Sequence, residues 1–139
     1  LLQRFQEVLI GGKEFAGLEG KELSFEELKE YPFICLGTET MTYYFYEQLF
    51  LLHGMELVPD TEAATTDQIL PLVKSGLGLG FLPEEMAKEA LRKHEVIQIM
   101  LKDKIPKRHV CMVYDTKRPM SVAAQKLKHL LSDEGGKEA

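Results

Sequence analysis

The sequence predicts an α/β domain with a mainly parallel sheet flanked by helices, and three observations carry that expectation. Short apolar runs alternate with segments of helical periodicity along most of the chain, the order expected of βαβ units. Glycines and prolines punctuate the changes, at Gly11-Gly12, Pro32, Gly54, Pro59, Gly76 and Pro83, where a chain turns or a helix starts or stops. Hydrophobic residues make up 45% and charged residues 28% of the 139 residues, enough apolar surface to bury a core without disulfides or metals.

The elements follow in order. Residues 5–10, Phe-Gln-Glu-Val-Leu-Ile, read as a strand ended by Gly11-Gly12. Ser24-Phe-Glu-Glu27 has the Ser-x-x-Glu form of a capping box and predicts a short helix that Pro32 stops. Phe33–Leu36 is a buried strand. Thr40 is an N-cap for a helix over about 41–53, closed by His53-Gly54. That helix carries Met41, Tyr43, Tyr44, Phe45, Tyr46, Leu49, Phe50, Leu51 and Leu52. It is apolar nearly all round, so cover on several sides is expected. Glu56–Val58 reads as a second short strand, closed by Pro59-Asp60.

Thr65 or Thr66 then caps a helix to about Lys74. Pro71 inside it removes a backbone bond, so a short or bent helix is expected. Leu77–Leu82 is a glycine-rich apolar strand. Pro83 suits the first position of a helix running to about His94, with Glu84 and Glu85 favourable in its first turn. Val96–Leu101 and Arg108–Tyr114 read as strands. Ser121 caps a last helix with Val122, Ala123, Leu127, Leu130 and Leu131 on one face, and a frayed tail is expected over 132–139.

Composition narrows the function classes. The net charge is −5, with 5 basic and 14 acidic side chains over 1–84 against 12 and 8 over 85–139. An acidic chain is a poor nucleic-acid binder, because phosphate contacts need basic surface. Cys35 and Cys111 each sit in an apolar run and read as small buried hydrophobes in a reducing compartment. No signal peptide is visible, and no apolar run approaches the ~18 residues that span a bilayer. The expected location is cytoplasmic. The start at Leu1-Leu2-Gln3 reads as that of a fragment.

No catalytic set stands out, and the chain is not expected to be an enzyme. His53, His94, His109 and His129 lie at no metal-ligand spacing to one another or to the cysteines, so no metal is expected. The glycines of Gly76-Leu-Gly-Leu-Gly80 follow a helix and enter a strand. That is the reverse of a dinucleotide loop, so close packing is their expected role and no cofactor is expected. No Gly-x-Ser-x-Gly elbow occurs. Glu26-Glu27 and Glu84-Glu85 lie at helix starts, where the helix dipole accounts for them.

Two polar helix starts are more informative: Thr38-Glu39-Thr40 and Thr65-Thr66-Asp67. In an open parallel sheet, strand carboxyl ends face helix N-termini, and backbone N–H groups with hydroxyls there can hold a small ligand. Plain N-capping accounts for each start taken alone. Glu39 and Asp67 oppose an anion, which leaves room for a neutral or mixed-charge ligand.

The stretch Ala64–Pro83, Ala-Thr-Thr-Asp-Gln-Ile-Leu-Pro-Leu-Val-Lys-Ser-Gly-Leu-Gly-Leu-Gly-Phe-Leu-Pro, resembles the central signature of effector-binding domains of LysR-type transcription regulators. Ser24–Leu28, Tyr31–Leu36, the helix at 41–53 with Gly54, Arg108–Val113 and Ser121-Val-Ala-Ala124 resemble further pieces in the same order. Together they cover nearly the whole chain.

The resemblance implies a type 2 periplasmic-binding-protein-like fold with two α/β lobes and a ligand cleft between them. Residues from about 11 to 99 would form most of the second lobe, with about 1–10 and 100–131 as crossover and return into the first. The first half of the first lobe, and an N-terminal DNA-binding winged helix-turn-helix, would lie outside this chain. Thr38, Glu39 and Thr40 match one cleft-facing turn and Thr65 and Thr66 a second. Gly80 and Phe81 match the strand near the hinge. The helix at 41–53 resembles an element used in lobe–lobe or subunit contacts. The implied function is sensing of a small-molecule effector in a homo-oligomer, with DNA reached only through the absent domain and no role for a membrane. A transport-type solute receptor of the same fold is the alternative.

Overall fold

The structure, a computed structural model, describes residues 1–135. In chain order it contains β1 (Gln3–Phe5), β2 (Glu7–Gly11), β3 (Glu22–Leu23), β4 (Phe33–Leu36), α1 (Met41–Leu52), β5 (Thr61–Ala63), α2 (Ile69–Lys74), β6 (Leu79–Pro83), α3 (Glu84–Arg92), β7 (Ile97–Leu101), β8 (Arg108–Val110) and α4 (Val122–Gly135). Short 3-10 turns lie at Lys13–Leu18, Glu26–Glu30 and Thr66–Gln68. The chain divides into two compact units: Glu7–Ile105, and Leu1–Gln6 together with the residues from Pro106 onward.

The larger unit holds a six-stranded sheet in the order β3-β7-β2-β6-β4-β5. β2 pairs antiparallel with both of its neighbours, while the other pairings are parallel. Five strands therefore run one way and β2 alone runs the other. The sheet is mixed, with the parallel direction dominant as predicted.

Both faces of the sheet are covered, and the strand alternation shows how. Leu9, Phe33, Cys35, Leu79, Phe81 and Ile99 join Tyr43, Tyr46, Leu49 and Phe50 of α1 in one cluster. Val8, Ile10, Ile34, Leu36 and Leu82 join Ile69 and Val73 of α2 and Ala87 and Ala90 of α3 in the other. Successive strand residues point to opposite faces, so β4 and residues 8–10 of β2 read as unbroken apolar runs because each face has its own helical layer.

Local signals set the helix ends. In the expected capping box, the Ser24 N–H donates to Glu27 Oε2 at 3.1 Å and the Glu27 N–H to Ser24 Oγ at 3.3 Å. The helix it starts is a 3-10 turn. α1 ends with Gly54 at φ 71°, the Met55 N–H bonding Phe50 O and the Gly54 N–H bonding Leu51 O, the Schellman pattern that a left-handed residue permits. α3 ends in the same way at Arg92, short of the expected His94. His94 takes the left-handed position itself at φ 57°. Pro83 closes β6 and caps α3 from outside, where it had been expected inside the helix.

Several expectations need correction. The single strand over 5–10 is two strands split at Gln6. The half-exposed β1 pairs with β8, and the wholly buried β2 belongs to the central sheet. No strand forms at 56–58; β5 begins at Thr61 instead. Pro59 has no N–H for a ladder, and Asp60 next to it bonds Phe33 from both sides. Its N–H donates to Phe33 O, and its Oδ2 accepts the Phe33 N–H, each at 2.9 Å. The glycine-rich strand runs from Leu79 to Pro83, not from Leu77 to Leu82. Gly78 precedes it because a Cβ there would lie 2.5 Å from Pro32 O, the carbonyl that accepts the Leu79 N–H at 2.8 Å.

Helix α1 is covered on one side only. Met41, Tyr44, Leu51 and Leu52 are exposed. The strand expected over 108–114 ends at Val110, where its three-residue partner β1 runs out.

The smaller unit consists of the β1–β8 ladder and α4, which Ser121 caps as expected, its Oγ accepting the Ala124 N–H at 3.2 Å. α4 continues through Ser132–Gly135, and the rest of the expected frayed tail, 136–139, lies outside the described residues. None of the described residues in this unit is buried. Cys111 is therefore exposed, contrary to expectation, whereas Cys35 is buried. Burial, and secondarily the Asp60 charge, push the Cys35 thiol up to about 12.

Candidate functional site

β4 and β5 are adjacent and parallel, with Leu36 opposite Ala63. The chain leaves both at the same sheet edge, so the turns Gly37–Thr40 and Ala64–Asp67 emerge side by side. Thr38, Glu39, Thr65 and Asp67 are exposed there, and Thr40 and Thr66 are partly so. The six polar residues of the two predicted helix starts are thus brought together.

Their hydroxyls are not equivalent. Thr40 Oγ1 accepts the Tyr43 N–H at 3.0 Å and donates to Gly37 O at 2.7 Å. Its single proton is spent inside the chain, which makes Thr40 a cap first. Thr65 precedes its helix in an extended conformation but makes no side-chain cap. Gln68 does that work instead, its Oε1 accepting the Ala64 N–H at 2.9 Å. The signal for Gln68 was present in the sequence, since a glutamine a few residues into a helix can reach back over the start. Pro71 accounts for the form of this helix, a 3-10 turn continued by the six-residue α2. Among the described residues, the hydroxyls of Thr38, Thr65 and Thr66 hold no hydrogen bond to the chain.

The edge is electrostatically acidic. Glu39 and Asp67 are its charged side chains, and neither Lys nor Arg occurs in 37–42 or 64–69. Hydroxyl donors beside carboxylates suit ligands that offer hydrogen-bond donors as well as acceptors.

Gly80 and Phe81 lie deeper. Gly80 pairs with Ile34 in the sheet, and a Cβ there would come within 2.9 Å of Ile69 Cγ2 and 3.2 Å of Val73 Cγ2. Its missing side chain lets α2 sit close to the sheet. Phe81 is buried and stacks on Tyr46 with ring centroids 4.5 Å apart. Both support the sheet beneath the turns and are not at its polar edge. Among the described residues, no group of three or more His, Cys, Asp and Glu side chains could hold a metal ion, and no helix is long and apolar enough to cross a membrane.

The model of one family, the LysR substrate binding domain, matches residues 2–136. No curated protein matches the sequence. Among solved structures, the effector binding domain of QuiR in complex with shikimate is similar with a TM-score of 0.82 at 14% identity, covering 98% of this chain and 64% of that one. The regulatory domain of Synechocystis CcmR in complex with 2-PG gives 0.75 at 18% identity, covering 94% and 62%. A mutant OxyR2 regulatory domain from Vibrio vulnificus gives 0.71 at 18%, covering 97% and 62%. These likenesses establish the type 2 periplasmic-binding-protein-like fold. The chain spans 62–64% of the length of the three domains.

Proposed function

The chain belongs to the LysR substrate-binding domain family, and from that premise we propose that it is the ligand-sensing part of a cytoplasmic transcription regulator. In this reading a small-molecule effector binds against the paired turns at Thr38–Thr40 and Thr65–Thr66. The regulator is a homo-oligomer that reaches DNA through a domain outside these residues. The observation that carries the reading is the side-by-side emergence of the two threonine turns from parallel β4 and β5. Family membership favours this reading over a transport receptor of the same fold.

Thr38, Thr65 and Thr66 supply the hydroxyls, Glu39 tunes the charge, and Thr40 holds the first turn in shape. Gly80 and Phe81 hold the strand beneath. The domain acts by binding and needs no chemical step. An effector switches such a domain only to the extent that it prefers one arrangement over another.

The test is calorimetric titration of the full-length regulator. Shikimate and 2-PG, ligands of two similar domains, serve as first probes within a panel of small hydroxylated metabolites. With a binding metabolite in hand, Thr38→Val and Thr65→Val are each expected to weaken it about 5- to 10-fold, the worth of one hydrogen bond at about 1 kcal/mol. Unchanged affinity in both variants would remove the turns from the site.

A further inference from the structure

We propose that His53 is a proton-operated latch, which on protonation clasps Asp103 and holds the stretch Lys102–Ile105 against the end of α1. His53 is the first residue beyond α1, and three neighbours fix its ring. Its Nδ1 lies 2.9 Å from Leu49 O, one of the last carbonyls of the helix, which have no following turn to bond them. Its face stacks on Phe25, with ring centroids 4.1 Å apart and planes at 15°. Its Nε2 lies 3.6 Å from Asp103 Oδ2. The His53 side chain is 23% exposed and that of Asp103 51%, so solvent protons reach the pair.

The proton count at this ring makes the contact conditional. A carbonyl oxygen only accepts, so the Leu49 contact requires a proton on Nδ1. In the neutral ring Nε2 is then bare, and its lone pair faces a carboxylate oxygen that has no proton to offer. The imidazolium carries a proton on both nitrogens and satisfies both contacts at once. The carbonyl end of α1 favours the cation as well. Among the described residues, Asp103 is the charged side chain that meets the ring. On the surrounding segments, Glu26 lies 3.7 Å from Lys29 Nζ and Glu27 accepts the Ser24 N–H. Lys102 and Lys104 flank Asp103 and are exposed.

The stretch so held carries the chain out of the unit Glu7–Ile105, which ends where Pro106 begins the other unit. Its two other anchors do not titrate. The Lys102 N–H donates to Leu23 O at 2.9 Å, and Ile105 packs on the cluster that contains α1. Asp103 lies between them. Imidazole changes charge between about pH 5 and 8. The cation forms as pH falls through that range, so the clasp is closed at its acid end and open at its alkaline end. The device needs no ligand and does not rest on the effector reading.

The test is hydrogen exchange of the full-length regulator, read by mass spectrometry at about pH 5.5 and about pH 7.5, either side of the imidazole midpoint. Each rate is divided by the intrinsic exchange rate at its pH. Peptides over Lys102–Ile105 are expected to be about fivefold more protected at the lower pH, the worth of one partly exposed ion pair. Asp103→Asn alters a half-exposed side chain and leaves the ring in place, and it should make protection equal at the two pH values. His53→Gln, which keeps a donor for Leu49 O, should do the same. Where His53→Gln fails to fold, the Asp103→Asn comparison decides alone. His94, His109 and His129 remain in both variants, so a response arising from them would persist. Equal protection at both pH values in the unaltered chain, or a pH difference that survives in Asp103→Asn, would overturn the proposal.

Discussion

In the unit Glu7–Ile105, β2 and β4 send alternate side chains into two separate helical layers, and both clusters are closed. In the unit formed by Leu1–Gln6 with the residues from Pro106 onward, Val110, Val113, Tyr114, Val122, Leu127 and Leu130 are all exposed. Val122, Leu127 and Leu130 of α4 stand at helical spacing, yet each of them is exposed. Periodicity tells which side of an element is apolar. Whether the cover for that side lies in the same stretch of chain is a separate matter, and the two units answer it differently.

The sharpest way to break this comparison is to delete equivalent side chains from each unit. Leu28 is fully buried and Leu130 is 59% exposed. Leu28→Ala should cost about 3 kcal/mol, as core truncations do, and Leu130→Ala no more than about 0.5 kcal/mol. Denaturant melts of the chain read both. Equal losses would mean that α4 is packed as tightly as the main core.

The cysteines give a chemically distinct contrast. Cys111 should react with a thiol reagent in the folded chain, and Cys35 only after unfolding. The Cys35 thiol rises from its ordinary 9.0 to about 12 on folding, so the folded state keeps a proton that the unfolded state gives up. Its contribution is intact below pH 9 and is lost as pH rises toward 12, with a slope of up to about 1.4 kcal/mol per pH unit. Cys35→Ala should flatten that part of the stability curve. A curve unchanged by the substitution would show that another group governs alkaline unfolding.

The smallest expected effects come from the caps. Thr40→Ala should cost about 1 kcal/mol, because it removes the acceptor of the Tyr43 N–H at the start of a helix whose inner face is buried. Ser121→Ala should cost less to global stability, since α4 can fray without opening the main core. Amide exchange would sharpen the contrast, with loss of protection confined to α4 in the second variant.

Signals carried by neighbouring residues were the most legible. The capping box at Ser24–Glu27, the caps at Thr40 and Ser121, the glycine end of α1 and the break around Pro71 all depend on groups a few residues apart. What escaped depends on distant partners. The start of β5 is set by Asp60 meeting Phe33, 27 residues away. The split of 5–10 into two strands is set by partners near 80, 99 and 109. The exposure of Cys111 follows from the lack of depth in its unit, which no local pattern encodes. At the candidate site, the two threonine turns were visible as helix starts. Their adjacency required knowing that β4 and β5 are neighbours, and the use of Gln68 as the cap required knowing the path of the Ala64 backbone.

The reversed strand at the centre of the sheet also has a kinetic consequence. β2 lies within the first dozen residues, yet Leu9 is paired with Phe81 and with Ile99. More than 70 residues must be available before either ladder closes, and a loop of that length is entropically slow to form. A chain emerging from the ribosome can assemble β4, α1, β5, α2 and β6 as they appear. β2 has to wait until β6 has been made, and it gains its second neighbour only after α3 and β7 have followed. The order of synthesis and the order of assembly are thus set against each other at the middle of the sheet, and joining β2 to its two neighbours is expected to be the slow step in folding.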